Sequence, residues 1–510
     1  MIDQQPMIRC GEVTRTHAEL ADRAARIATG LRELGVGADD RIAMLLYNDV
    51  AFLEIMAAAS LIGVASVPLN WHSTAKELGY VIDDCDARVI FVHSPLLALV
   101  REVAGDRTLI EVPVAGTAVD APGRSPAGVA YRQLEDWLVE HQPLDQPAPK
   151  APMSVIYTSG TTGSPKGVLR EPADADRQAE IGALVVEGLG MSPGARTLIV
   201  APMYHTAPNV QAAFAVRLGL DVTIMPRFDA EEVLALIERH RISHAQFVPT
   251  HFVRLLGLPP EVRARYDVSS LKSVVHAAAP CPPPVKLQIM DWFGPVVREF
   301  YGGTETGVVV CCDNAGWVAH PGTVGKPVLD ADVRILDETR RPVPVGETGE
   351  VFVKPPSCWP DFTYIGDAGK RARMDVGGYL SIGDVGYLDE DGYLYLNDRA
   401  IDMVISGGVN IYPSEIENCL VTLSGVRDAA VFGIPDPDLG EALVAHVEVD
   451  PAAGLSEDDI RRHLREHLAR FKTPKIIVFD DALPRQASGK LFKRQLKQRY
   501  TQGTASPVAP

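Results

Sequence analysis

Short hydroxyl residues, glycines and one lysine are concentrated in a single stretch of the chain, which reads IYTSGTTGSPKGV over residues 156–168. Such residues between apolar runs are typical of a loop. Backbone N–H groups in a glycine-rich turn can surround an anion, and here Ser159, Thr161 and Thr162 add hydroxyl donors while Lys166 adds positive charge. The stretch therefore predicts an anion-binding loop. It is not a Walker A loop, because Pro165 stands where the second glycine of that motif belongs.

The segments around this loop alternate between apolar strands and amphipathic helices. Thr16 and Glu19 form a capping-box signature ahead of a helical apolar repeat. Alternating strands and helices predict βαβ units and a mostly parallel sheet. The expected strands lie at 41–48, 65–70, 88–94 and 196–203, and residues 271–280 are expected to form a strand that ends in a turn. A capped helix feeds a strand within 229–250, and a short helix spans 283–293. We therefore predict a large N-terminal lobe with two α/β sheet subdomains.

The pattern changes after about residue 320. Short segments with β alternation, such as GEVFVK and GYLYLNDR, indicate a β-rich subdomain. Beyond residue 400, expected helices at 413–423 and 456–470 alternate with strands and predict a small α+β C-terminal domain. The expected division is an N-terminal domain at 1–398, a hinge at 399–402 and a mobile domain at 403–510 that ends in a disordered tail.

Composition excludes some functions. The 510 residues carry a net charge of −17, which argues against general nucleic-acid binding. Seven scattered cysteines without a C-x-x-C pair fit reduced thiols rather than a zinc ribbon. No apolar run approaches the roughly 18 residues of a membrane span, and the first residues do not read as a signal peptide. We therefore expect a cytoplasmic protein with no membrane span and no nucleic-acid partner.

Seven motifs in a consistent order closely resemble those of adenylate-forming enzymes, the superfamily of acyl-CoA synthetases, peptide-synthetase adenylation domains and firefly luciferases. They are YTSGTTGSPKG (157–167), PMYHTAP (202–208), AAAP (277–280), YGGTETG (301–307), GDVGYLDEDGYLYLNDR (383–399), SGGVNIYPSEIE (406–417) and PRQASGK (484–490). The resemblance spans roughly residues 15–500. It implies that a carboxylic acid and ATP form an acyl-adenylate and pyrophosphate, after which a thiol attacks the adenylate.

The resemblance also implies roles for individual residues. Lys490 would bridge the acid carboxylate and the α-phosphate, Glu305 would hold Mg²⁺ against phosphate oxygens, Thr304 would bind phosphate or adenylate, and His205 would gate the acyl channel. The expected ATP and AMP ligands are Thr158, Ser159, Gly160, Thr161, Thr162, Gly163, Lys166, Ala278, Ala279, Pro280, Tyr301, Gly302, Gly303, Asp384 and Arg399. The expected coenzyme A contacts are Gly407, Gly408 and Val409, and the expected hinge residues are Ile401 and Asp402.

Each of these residues also has an ordinary structural interpretation. Tyr301 could be a packing aromatic, Asp384 a turn former, His205 a core histidine and Lys490 a solvated charge. The chemistry favours the functional interpretation for Asp384, because a carboxylate can accept both hydroxyl groups of a ribose diol. Arg399 offers a fork of donors for ribose or phosphate.

The chain departs from the family pattern at three positions. Ile401 stands where many relatives have Asp or Lys, so which hinge residue absorbs a rotation is open. Ala277 stands where relatives often have Gly. Gly303 stands where a larger residue such as Met or Ser is common, which predicts either a roomy acyl pocket or a turn with positive φ.

The expected function is that of an AMP-forming acyl-CoA synthetase using ATP, Mg²⁺ and coenzyme A, with a small-molecule carboxylic acid as substrate. Three alternatives remain open: a ligase for a carrier protein, a chain that performs one half-reaction, and a non-catalytic protein that binds acyl-adenylate or CoA. The motifs are accompanied by no carrier or condensation domain, which favours free CoA. A homodimer is also left open.

Overall fold

The structure is a computed structural model of the chain, and it describes residues 5–114, 131–158, 165–399, 402–406, 409–437, 439–485 and 491–501. Elements are numbered in chain order. The helices are α1 (His17–Glu33), α2 (Val50–Leu61), α3 (Ala75–Asp84), α4 (Leu97–Arg101), α5 (Leu134–Glu140), α6 (Ala175–Leu189), α7 (Thr206–Arg217), α8 (Ala230–His240), α9 (Pro249–Leu256), α10 (Pro260–Arg263), α11 (Pro283–Phe293), α12 (Asn314–Ala319), α13 (Ala368–Met374), α14 (Pro413–Leu420), α15 (Glu457–His467) and α16 (Lys493–Thr501).

The strands of the larger lobe are β1 (Met7–Cys10), β2 (Val13–Thr16), β3 (Arg41–Leu45), β4 (Ala65–Pro68), β5 (Ala87–His93), β6 (Thr108–Val112), β7 (Tyr131–Gln133), β8 (Ile156–Thr158), β9 (Lys166–Arg170), β10 (Arg196–Ile199), β11 (Asp221–Ile224), β12 (His244–Phe247), β13 (Ser273–His276), β14 (Val297–Gly303), β15 (Gly307–Cys312), β16 (Lys326–Pro327), β17 (Asp332–Leu336), β18 (Gly349–Lys354), β19 (Phe362–Tyr364), β20 (Asp375–Val376), β21 (Tyr379–Leu388) and β22 (Leu394–Arg399). Those of the small domain are β23 (Val404–Ser406), β24 (Val409–Ile411), β25 (Val426–Asp436), β26 (Gly440–Val449) and β27 (Ile476–Asp480).

Two α/β sheets form the larger lobe, as predicted. The first has the strand order β4-β3-β5-β6-β7 and is parallel throughout. The second has the order β16-β15-β14-β13-β12-β10-β11-β1-β2. Within this order, every neighbouring pair between β14 and β1 is parallel. Strand β1 pairs with β11, so the start of the chain joins the second sheet rather than the first.

Local sequence determines where the first helix begins. The Glu19 N–H donates to Thr16 Oγ1 at 3.1 Å, and the Thr16 N–H donates to a Glu19 carboxylate oxygen at 2.7 Å, which confirms the predicted capping box. Leu20, Ile27 and Leu31 lie on the buried face of α1. The helix therefore begins and packs as its sequence pattern predicts.

Several predicted elements were too long. The strand expected at 196–203 ends at Ile199, and the helices expected at 413–423 and 456–470 run Pro413–Leu420 and Glu457–His467. The strand expected within 271–280 ends at His276, and the predicted turn follows it. The residues between the observed and expected strand ends form loops at the carboxyl edge of the second sheet. In open α/β sheets this edge is where ligands bind.

The β-rich subdomain and the small α+β domain follow in the predicted order. The subdomain sheet has the order β17-β18-β21-β20 with β22 on β21, and the small domain has β24-β23-β26-β25 with β27 parallel to β26. A fourth sheet of the larger lobe, β19-β9-β8, was not predicted. In the described part of the chain, no helix combines the length and apolarity needed to cross a membrane.

Candidate active site

The predicted phosphate loop lies between two paired strands. Thr158 at the end of β8 stands opposite Lys166 at the start of β9 in an antiparallel pair. The Tyr80 hydroxyl donates to the Pro165 carbonyl at 3.0 Å, which fixes the point where the chain enters β9. Ser159, Gly160, Thr161, Thr162 and Gly163 lie outside the described residues.

Strand β19 connects this loop to the Thr-Glu motif. It pairs with β9, so that Tyr364 stands opposite Val168. The Tyr364 hydroxyl donates to Glu305 Oε1 at 2.7 Å. Burial, followed by the Glu305 charge, raises the pKa of Tyr364, so the hydroxyl keeps the proton that it donates. Glu305 itself is half-buried in the connection between β14 and β15, at the carboxyl edge of the second sheet.

A buried arginine near Glu305 was missed by the sequence analysis. Arg170 at the end of β9 is 3% exposed, its guanidinium lies 5.2 Å from the centre of the Trp359 ring, and its Nε and Nη2 have no hydrogen-bond partner among the described residues. Burial lowers the pKa of Arg170 to about 10, and the Glu305 charge opposes that shift. Val168 and Arg170 share one face of β9. An arginine on this otherwise apolar strand face was the feature of the sequence that could have identified Arg170.

The second loop of the site comes from the start of α7. Thr206 Oγ1 and Thr304 Oγ1 share a hydrogen bond of 2.6 Å, which joins this loop to the Thr-Glu motif. His205 immediately precedes α7, and its Nε2 is buried without a partner among the described residues. Burial, with a smaller effect of His72, lowers the pKa of His205 to about 4, so its ring is neutral at physiological pH.

Tyr301 and Asp384 come together although 83 positions separate them in the chain. The Tyr301 hydroxyl donates to Asp384 Oδ2 at 2.7 Å, and both residues are buried. Asp384 on β21 stands opposite Arg399 on β22. Tyr301 is thus more than a packing aromatic, because its ring carries a hydroxyl that orients one oxygen of the Asp384 carboxylate.

The expected adenine turn lies next to Tyr301. Strand β13 pairs with β14, so that His276 stands opposite Glu299, and the chain continues from His276 into Ala278, Ala279 and Pro280. Ala278 has φ +74°, a left-handed conformation that side chains disfavour. The strained position is Ala278, one residue after the Ala277 at which the sequence departs from the family pattern.

Replacing Ala278 with glycine should therefore raise the thermal midpoint of the larger lobe. Glycine adopts this conformation without the roughly 1–2 kcal/mol of strain that alanine carries, which outweighs the roughly 0.5–1 kcal/mol of chain entropy that glycine adds to the unfolded state. The matched control is Ala279→Gly, whose φ is not positive and which should lower the midpoint because glycine adds chain entropy to the unfolded state. Equal shifts in both variants, measured by differential scanning calorimetry, would show that Ala278 is not strained.

The two glycines of YGGTETG serve different purposes. A Cβ at Gly302 would lie 1.8 Å from the Gly307 carbonyl oxygen, so no side chain fits between β14 and β15 there. A Cβ at Gly303 would lie 3.2 Å from Ile382 Cδ1 and 3.4 Å from Glu305 Oε2. Gly303 does not have a positive φ, so the prediction that it serves a positive-φ turn is wrong. A side chain at this position would press against Ile382 and lie in contact with Glu305.

The remaining predicted residues belong to the small domain and its connection. Lys490, Gly407, Gly408 and Ile401 lie outside the described residues. Val409 is 42% exposed at the start of β24, where it stands opposite Ser406, and Asp402 lies in a turn. The structure therefore brings together the part of the site that the larger lobe contributes.

Two family models match the chain: AMP-binding enzyme over residues 3–360 and AMP-binding enzyme C-terminal domain over residues 415–490. A feruloyl-CoA synthase from an Amycolatopsis species is 34% identical, covering 97% of this chain and 95% of its own. The fatty acid–[acyl-carrier-protein] ligase ScoC of Streptomyces coeruleorubidus is 32% identical, covering 99% and 95%. The crystal structure of ATP-bound MatB from Rhodopseudomonas palustris superposes with a TM-score of 0.82 at 28% identity, covering 98% of this chain and 97% of that one.

Proposed function

The chain belongs to the AMP-binding enzyme family, and from this premise we propose that it is an AMP-forming acid–CoA ligase. It activates a carboxylic acid with ATP as an acyl-adenylate and transfers the acyl group to coenzyme A, giving acyl-CoA, AMP and pyrophosphate. The observation that carries the proposal is end-to-end similarity to a CoA-forming relative, joined to a site in which Tyr301 orients Asp384 and Tyr364 orients Glu305.

Different residues of the larger lobe bind different parts of the nucleotide. Asp384 accepts the two ribose hydroxyls, with one carboxylate oxygen held by Tyr301, and the Tyr301 ring stacks against the adenine. The turn of Ala278, Ala279 and Pro280 forms the other wall of the adenine site. The loop from Thr158 to Lys166 surrounds the phosphates with N–H and hydroxyl donors, and Arg399 adds a fork of donors.

The residues around Glu305 fit a magnesium ion. Mg²⁺ favours one or two carboxylates together with substrate phosphates, and when bound it would neutralise phosphate charge that otherwise repels the acid. Tyr364 occupies Oε1 of Glu305, while Oε2 is the oxygen nearest Gly303. Thr304, hydrogen-bonded to Thr206, is the neighbouring hydroxyl for a phosphate oxygen.

The small domain supplies different groups to the two half-reactions. Lys490 stabilises the charge that develops as the acid carboxylate meets the α-phosphate. The hairpin of β23 and β24, with Gly407, Gly408 and Val409, forms the coenzyme A contact. Because both features belong to the 403–510 domain, we expect this domain to rotate about the connection at 399–402, with Ile401 and Asp402 as the candidate hinge residues.

The acid is bulkier than acetate. His205 is a neutral ring at the start of α7, and glycine at position 303 keeps a side chain from pressing against Ile382 and Glu305 on the side where we expect the acid. Support for an aromatic or long-chain acid comes from the relatives named for ferulate and fatty acids. A cytoplasmic location and a homodimer remain predictions.

Replacing Gly303 with methionine should raise KM for the preferred bulky acid about tenfold, while KM for ATP and for the smallest accepted acid stays near wild type. A difference of a single methylene in an apolar substrate pocket changes discrimination about 10-fold or more, and the methionine side chain fills at least that volume. A steady-state pyrophosphate assay measures all three constants.

The Gly303→Met/Ile382→Ala double variant is the control for crowding. Ile382 Cδ1 is the nearest atom to an added Cβ, so recovery of the bulky acid in the double variant would show that Ile382, not pocket volume, caused the loss. A wild-type enzyme that prefers acetate would contradict the size assignment outright.

A second candidate function is transfer of the acyl group to a carrier protein, because one relative is a fatty acid–[acyl-carrier-protein] ligase. A screen of fatty, aryl and polycyclic acids with ATP and either coenzyme A or a phosphopantetheinylated carrier protein separates the two. Mass spectrometry should detect the CoA thioester. Loading of the carrier protein alone would support the second function, and pyrophosphate release without either thioester would indicate a chain limited to the first half-reaction.

A further inference from the structure

Three metal-binding side chains meet on the small domain, away from the residues assigned to ATP and the acid. They are Cys419 on α14 and His463 and His467 on α15, and one ligand atom from each lies within 4.8 Å of the other two. None of the motifs discussed above uses them. Cys419 is a free thiol, and the two histidines are one helical turn apart on α15, so both imidazoles lie on the same face.

The two helices are held firmly enough to define this cluster. Ile416 and Leu420 of α14 pack with Ile460 and Leu464 of α15 in the core of the small domain. The cluster lies beside this packed seam. The His463 and His467 rings are 4.4 Å apart between centroids, and His463 and Cys419 are half-buried while His467 is exposed. The cluster is therefore held by the packed helices on one side and reached by solvent at His467 on the other.

The hydrogen bonds around the histidines leave metal-binding nitrogens. His467 Nδ1 lies 2.8 Å from the His463 carbonyl oxygen. Since a carbonyl only accepts, Nδ1 carries the proton in the neutral ring and Nε2 keeps its lone pair. Zinc-binding histidines usually have this arrangement, with the second nitrogen donating to a carbonyl or carboxylate. His463 Nε2 lies 3.1 Å from the Cys419 carbonyl oxygen and 2.9 Å from Thr422 Oγ1. By the same rule this Nε2 carries the proton in the neutral ring, so Nδ1 is the His463 nitrogen that keeps a lone pair for a metal.

We propose that Cys419, His463 and His467 bind one Zn²⁺ ion that links α14 to α15. One thiolate and two imidazoles are ligands that zinc prefers, and water takes the fourth tetrahedral position. Tetrahedral zinc with bonds of about 2.0–2.3 Å places its ligand atoms roughly 3.5 Å apart, so small side-chain rotations close the set. On binding, the Cys419 thiol loses its proton to solvent as the S–Zn bond forms.

The ion stabilises the small domain rather than taking part in the ligase reaction. Helix α14 directly follows the β23–β24 hairpin assigned to coenzyme A, and Ser414 on this helix donates to the Asn397 carbonyl of β22. Zinc thus fixes a helix that carries the hairpin and contacts the larger lobe. This inference does not depend on the proposed acid or on the ligase activity.

Zinc binding by the full chain tests the proposal. Protein freed of metal with a chelator is titrated with Zn²⁺ in competition with a chromophoric chelator, and one tight equivalent per chain is expected. His467→Ala and Cys419→Ala should each weaken affinity more than about tenfold, the smallest loss seen when even a supporting partner of a zinc ligand is removed. His467 is exposed, so its variant should fold normally.

Matched controls and a second metal make the result specific. Cys311→Ser and His240→Ala remove a half-buried thiol and an imidazole from the larger lobe and should bind zinc as wild type does. Co²⁺ should give a thiolate charge-transfer band that Cys419→Ala abolishes. Wild-type zinc affinity in the His467 and Cys419 variants, or no tight equivalent in the wild-type chain, would overturn the proposal and leave the cluster as a helix-packing contact.

Discussion

Replacing Lys490 with alanine should reduce ATP-dependent pyrophosphate release roughly 10²-fold to 10³-fold, the loss expected when one preorganised charge that stabilises a transition state is removed. The lysine acts while two anions, the acid carboxylate and the α-phosphate, approach each other. When preformed acyl-adenylate is supplied with coenzyme A, the same variant should keep most of its thioester formation, because that step no longer brings the two anions together.

The control for this variant is Lys497→Ala, which removes a lysine of the same C-terminal segment from α16. It should leave both half-reactions near wild type, since Lys497 is assigned no contact with substrate. Pyrophosphate release at the wild-type rate in Lys490→Ala would show that this lysine is a solvated charge. Equal loss of both half-reactions would place it outside the adenylation step.

Replacing Glu305 with glutamine should lower adenylation by a similar factor, roughly 10²-fold, and should raise the Mg²⁺ concentration needed for half-maximal rate. The substitution keeps the size of the side chain and its hydrogen bond from Tyr364, so the change is the loss of negative charge. Pyrophosphate release measured across a magnesium titration gives both effects. Unchanged magnesium dependence with a lower rate would assign Glu305 to packing instead.

Tyr364→Phe is the matched control, because it removes only the hydroxyl that donates to Glu305. It should lower the adenylation rate roughly tenfold, as the loss of a partner that orients a metal ligand does. The unfolding temperature of both variants should be measured as well, because Glu305 lies near the buried Arg170. Removing the Glu305 charge leaves this buried guanidinium with less compensation, so Glu305→Gln should also unfold at a lower temperature. Tyr364→Phe loses one hydrogen bond but keeps the charge, so its unfolding temperature should fall less.

Local signals predicted the parts of the fold that short segments determine. The Thr16–Glu19 capping box and the apolar face of α1 needed only helical periodicity, and the alternation of strands and helices was enough for two α/β subdomains. The family motifs also identified Tyr301 and Asp384 as residues of one site, and the structure joins them by a hydrogen bond.

Contacts between distant parts of the chain could not be predicted in this way. Strand β19 pairs Phe362 with Arg170, and this pairing brings Tyr364 to Glu305, but neither segment carries a local signal for the other. The strand expected within 271–280 ends at His276 and the chain then turns, as predicted, but the positive φ at Ala278 carries no local signal in the sequence. Such pairings depend on long-range burial, which one sequence without an alignment does not specify.

The fate of the carboxylate oxygens tests the proposed adenylate most directly. A preferred acid labelled with ¹⁸O in both carboxylate oxygens is incubated with ATP, coenzyme A and the enzyme. The masses of AMP, the thioester, phosphate and pyrophosphate are then measured by mass spectrometry. If the acid attacks the α-phosphate, one labelled oxygen leaves with AMP when the thiol attacks the carbonyl carbon, and the thioester keeps the other. Unlabelled AMP, with the label in inorganic phosphate or pyrophosphate, would contradict an acyl-adenylate and the adenylation site assigned to Glu305 and Lys490.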